Sequence, residues 1–79
     1  MVRTLRLSEL QAAVKAEVQE ISGPSAFRSR MLALGITPRS PVQILRRMPM
    51  GGPIEIEVRG TRLALRIKDA EQITVTVRA

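Results

Sequence analysis

From Pro53 to Ile67 the chain reads PIEIEVRGTRLALRI, an alternation of apolar and charged residues broken only around Gly60 and Thr61. A period of two is the period of a strand with one face buried and the other wet. Ile54, Ile56 and Val58 therefore share one face and Glu55, Glu57 and Arg59 the other, and Leu63, Leu65 and Ile67 oppose Arg62, Ala64 and Arg66 in the same way. The opposite register would bury unpaired carboxylates and guanidiniums, at prohibitive cost. Two half-buried antiparallel strands result, joined by a tight hairpin at Gly60 and Thr61.

The remaining glycines and prolines fall between periodic segments and divide the chain into short elements. PVQILRRM and ITVTV read as further strands, and KDAEQ has the length of one helical turn. A short helix over about residues 24 to 34 begins at Pro24, which needs no amide hydrogen in a first turn, and ends before Gly35. Phe27, Met31 and Leu34 form its expected buried stripe. The first third is ambiguous. Ser8 and Gln11 resemble a capping box ahead of helically spaced Leu10, Val14, Val18 and Ile21, yet Val14 to Ile21 also suits a strand.

With 79 residues the sequence is read as one domain, residues 1–79, with a small core. Phe27 is the only aromatic residue, so aliphatic side chains must fill that core. Histidine and cysteine are both absent, which removes the usual general base, the thiol nucleophile and the common transition-metal ligands. No enzymatic activity, cofactor or metal site is expected. Glu55 and Glu57 share a strand face but read as a solvated surface, and Met48 and Met50 as apolar contacts rather than soft metal ligands. Gly51-Gly52 is followed by proline instead of the Lys-Ser/Thr of a phosphate loop, so the pair reads as an elbow between strands. No apolar run resembles a secretory signal or a membrane span, and a cytoplasmic protein is expected.

The formal net charge is +6, and the excess sits in residues 28 to 47, which carry Arg28, Arg30, Arg39, Arg46 and Arg47 and no acid. Such a segment raises the alternative of a module that binds a nucleic-acid phosphate backbone. Single-strand binding usually needs aromatic stacking platforms, and proline-rich peptide recognition an aromatic-lined groove; one phenylalanine supplies neither.

The order and spacing of Leu34-Gly35-Ile36 with Pro38, the Pro49-x-Gly51-x-Pro53-Ile54 elbow, Gly60, Leu63-x-Leu65-Arg66, Ala70 and Ile73-x-Val75 resemble the FeoA family. Those domains are the small cytoplasmic components of bacterial ferrous-iron uptake systems. The resemblance runs from about Leu5 to Val75 and implies a mainly β fold, a small SH3-like β-barrel with one short α-helix after the first strand. It also implies that Val14 to Ile21 is that first strand, following a Leu7 and Leu10 lead-in. Three departures stand out: Ala13 and Arg39 occupy positions where the family usually has glycine, and Gly52 replaces an aspartate. Arg39 must then avoid a positive φ or accept strain.

The function implied is that of an adaptor without catalysis, binding the cytoplasmic GTPase-containing part of a FeoB-type transporter and recruited to the inner face of the membrane, with self-association left open. The expected partner surface combines Met48, Met50, Gly51 and Gly52 at the elbow with Arg28, Arg46 and Arg47 as a charged rim.

Overall fold

The computed structural model describes residues 1–78. The elements in chain order are β1 (Val2–Arg6), a single 3-10 turn (Leu7–Glu9), β2 (Ala16–Ile21), α1 (Ser25–Ala33), β3 (Pro41–Arg47), β4 (Ile54–Val58), β5 (Thr61–Leu65), α2 (Ile67–Ala70) and β6 (Ile73–Arg78). The strands form one antiparallel sheet in the order β1-β6-β2-β3-β4-β5. It wraps around a single aliphatic core without closing, since β1 and β5 do not pair with each other. Bulges in the β2–β6 ladder between Val18 and Glu20 and in the β3–β4 ladder between Ile44 and Arg46 supply the bends.

The alternation from Ile54 onward holds: Ile54, Ile56, Val58, Leu65 and Val75 are buried, and Leu63 is half-buried against the same core. Ile67 departs from it, because β5 stops at Leu65 and Ile67 opens α2. The β4–β5 turn is Arg59-Gly60 rather than Gly60-Thr61. Val58 pairs with Thr61, and both turn residues have positive φ, 51° and 84°, as a two-residue hairpin requires.

Around α1 the structure corrects one apolar position. Met31 is buried and Phe27 half-buried, but Leu34 is exposed. The helix closes at Gly35 (φ 93°), with the Gly35 N–H donating to the Leu32 carbonyl (2.9 Å) and the Ile36 N–H to that of Met31 (3.0 Å). This double closure folds Ile36 back into the core, where it is fully buried and takes the place expected for Leu34.

The ambiguous third is a strand, beginning at Ala16 rather than Val14. Before it lies β1, which the sequence reading did not anticipate, so α1 follows the second strand and not the first. β1 is an edge strand whose residues are mostly exposed, and Leu5 and the ladder to β6 anchor it. Ser8 and Gln11 do not form a capping box, since Ser8 lies inside the 3-10 turn, whose N-cap is Arg6. The Arg6 N–H donates instead to Glu9 Oε1 (3.0 Å) across the 3-10 turn, and Leu7 and Leu10 are buried.

Both departures from glycine carry strain: Ala13 has φ 67° and Arg39 φ 72°. The left-handed conformation costs an L-residue about 1–2 kcal/mol. Arg39 is held there because its N–H donates to the Val18 carbonyl (2.7 Å) while the Val18 N–H donates to that of Ser40 (2.9 Å). Arg39→Gly and Ala13→Gly are each expected to stabilise the fold by about 1 kcal/mol, an increase of roughly 4–8 °C in melting temperature. A fall in melting temperature for both would show that the arginine and alanine side chains contribute more than their backbones cost.

Candidate functional site

The elbow joins β3 to β4, with Arg47 paired to Ile54 and the Met48 N–H donating to the Pro53 carbonyl (3.1 Å). At its tip Met50 (φ 60°) and Gly51 (φ 73°) are both left-handed, and the Gly52 N–H returns to the Pro49 carbonyl (3.3 Å), the pattern of a type I′ turn. The two glycines have separate tasks. Gly51 supplies the backbone conformation, whereas a Cβ at Gly52 would stand 2.9 Å from the Met48 Cβ. Pro53 follows with no amide hydrogen, so this loop is a turn and not a phosphate cradle.

The geometry drives Met50 outward. Its side chain is fully exposed, and Met48 behind it is partly so, at 38%. Exposing a large apolar side chain on a strained turn offers nothing to the fold, and unbranched methionine adapts to varied surfaces.

The arginines divide among three settings. Arg46 Nε lies 3.8 Å from Glu55 Oε2 beside the elbow. Arg47, though exposed, donates through Nη2 to the carbonyls of Ser8 (2.8 Å) and Leu10 (2.6 Å), fastening the segment after β1 to the end of β3. Its charge is thereby committed to backbone carbonyls, and the rim position given to it from the sequence becomes a structural tie. Arg28 lies in a separate surface groove lined by Gln19, Glu20, Ile21, Leu32 and Pro38, none of them from the elbow. The expected surface thus splits into Met48, Met50 and Arg46 at the elbow and Arg28 on α1.

That α1 groove escaped the sequence reading. Its signal is that Leu32 and Leu34 add apolar side chains to α1 and its cap beyond those that face the core, and both are exposed. Arg30, also on α1, sits 3.8 Å from Asp69 and 5.5 Å from the Phe27 ring centroid. Of the five arginines between residues 28 and 47, Arg47 is committed to backbone carbonyls, whereas Arg30 and Arg46 make long, exposed ion pairs that leave their charge largely in solvent.

Glu55 and Glu57 are drawn to different neighbours, Glu55 to Arg46 and Glu57 Oε1 to Gln43 Nε2 (3.2 Å). Among the described residues no group of three or more His, Cys, Asp or Glu converges as a metal site. Anaerobic calorimetry of the isolated protein with Fe(II) is accordingly expected to give no stoichiometric micromolar binding. A saturable site would overturn this, and its loss in Glu55→Gln or Glu57→Gln would locate it.

The sequence matches the FeoA domain family over residues 5–77. The chain belongs to the FeoA domain family. FeoA domains are part of ferrous-iron transport systems, and a Porphyromonas gingivalis protein, an Fe(2+) transport protein A/Fe(2+) transporter FeoB fusion, is 28% identical over 90% of this chain. This chain spans only 8% of that fusion's length. The solution structure of FeoA from Chlorobium tepidum is 39% identical, with a TM-score of 0.87 over 95% of this chain and 71% of that one. A zinc-complexed FeoA from Stenotrophomonas maltophilia, described as a procaryotic SH3 domain protein, is 29% identical, with a TM-score of 0.78 over 94% and 96% of the two chains. The open, strongly bent sheet of this FeoA domain is the same SH3-like fold. Among its described residues no helix is long and apolar enough to cross a membrane.

Proposed function

We propose that this FeoA domain acts without catalysis, as an adaptor that docks on the cytoplasmic GTPase-containing part of a FeoB-type ferrous-iron transporter, with the β3–β4 elbow as its contact. The fusion relative supports the pairing of partners: there an FeoA domain and the transporter FeoB share one polypeptide, which holds them at high effective concentration. The observation that carries the choice of surface is the full exposure of Met50 at the tip of a strained turn. Met48 lies behind it, and Arg46 gives the patch a positive margin suited to orienting an acidic surface.

Co-purification of this chain with the cytoplasmic part of the transporter tests the reading. Retention by the wild type and loss in Met50→Asp is the expected pair of results. A wild-type chain that is not retained at low salt would remove the adaptor reading.

A further inference from the structure

The open sheet leaves two strands with one free edge each, β1 and β5. They are not equivalent. On β1, Arg3 shares the inward side with Leu5 and pairs with the half-buried Val77, and an inward-pointing charge is one of the devices that blocks edge-to-edge pairing. β5 has no inward-pointing charge, although it is short and carries Arg62 on its outer side. Its inward residues are Leu63 and Leu65, its outward residues Arg62 and Ala64, and it contains neither proline nor a bulge in its ladder with β4.

The hairpin fixes which main-chain groups are free. In a two-residue hairpin the residues flanking the turn exchange hydrogen bonds, so Thr61, Leu63 and Leu65 direct their N–H and C=O groups toward β4. Arg62 and Ala64 point theirs away, and both residues are exposed. A new antiparallel strand must pair with these two. A second copy of β5 satisfies that need in one register, with Arg62 of each copy opposite Ala64 of the other and the two Leu63 residues facing across the axis. The side chains fit this register. On the inner face each half-buried Leu63 gains the other as a neighbour. On the outer face Arg62 has Glu57 beside it on its own β4, and Ala64 of the second copy is small enough for the guanidinium to reach across toward Glu55 behind it.

We propose that this FeoA domain forms a symmetric dimer through antiparallel β5–β5 pairing about an axis at Leu63, an isologous interface that joins two sheets into one. The assignment is independent of the adaptor reading.

Because the chain has no cysteine, single-cysteine variants report the register directly. Under mild oxidation Leu63→Cys is expected to form a disulfide-linked dimer, since facing residues in a non-hydrogen-bonded pair lie close together. Thr61→Cys, although more exposed, should couple far more slowly, because Thr61 faces Leu65 of the other copy. Sedimentation equilibrium of the wild type should show mass rising from monomer to dimer with concentration. Ala64→Arg, which sets arginine against arginine on an exposed position without touching the core, should weaken that association about tenfold. A wild type that stays monomeric at every concentration, a Thr61→Cys variant that couples as fast as Leu63→Cys, or a dimer unaffected by Ala64→Arg would each overturn the proposal.

Discussion

Ile56→Asp is expected to yield no cooperatively folded protein, whereas Glu57→Gln, one residue along, should melt within about 1 °C of the wild type. Ile56 is fully buried on β4, paired with Ile44 on β3 and Leu63 on β5. Its burial is worth about 1.5–3 kcal/mol, and a carboxylate in its place would have no partner. Those losses together approach the whole stability of a small domain, which lies near the lower end of about 5–15 kcal/mol. Glu57 is on the other face and accepts a hydrogen bond from Gln43 that a glutamine can also accept. Circular dichroism melts of the two variants decide the matter. Similar tolerance of both would mean that the two faces of β4 have been assigned the wrong way round.

Met50→Asp should have the opposite profile, abolishing retention by the transporter's cytoplasmic part while leaving the melting temperature unchanged or slightly raised. The side chain is fully exposed, so the fold loses no burial, and aspartate tolerates the left-handed backbone better than methionine does. At an interface the same change removes an apolar anchor and places a charge where it must be desolvated. A loss of about 3 kcal/mol is expected, roughly a hundredfold in affinity. Arg46→Glu should weaken binding chiefly at low salt, as befits a rim charge. If Met50→Asp binds as well as the wild type, the elbow is only a turn, and the α1 groove beside Leu32 becomes the surface to mutate.

Much of this architecture was readable in the sequence because a buried face imposes a period on it. β4, β5 and β6 show that period directly, and α1 shows its boundaries through Pro24 and Gly35. β1 was not readable because an edge strand held mainly by its ladder to β6 leaves almost no apolar pattern. Leu34 was misplaced because the helical period was carried one residue past the last helical turn, into a cap where Ile36 takes over the interior. The elbow was legible as a turn from its glycines and prolines. The splitting of the arginines was not. Arg47 carries the same charge as Arg28 and Arg46, and only the return of the chain at Ser8 and Leu10 decides that its guanidinium goes to backbone carbonyls.

The position of β6 between β1 and β2 has a consequence for the order of events on the ribosome. The β3–β4–β5 meander is built from neighbours in sequence and can form as soon as it is made. β1 by contrast has only β6 as a partner, and β2 has otherwise just its short contact with β3. These two strands, made before the meander, therefore wait for β6, which is made after it. Until β6 emerges, Leu5, Val18 and Ile21 lack the strand that covers them, and the nascent chain is a partly ordered meander with an unfinished leading segment.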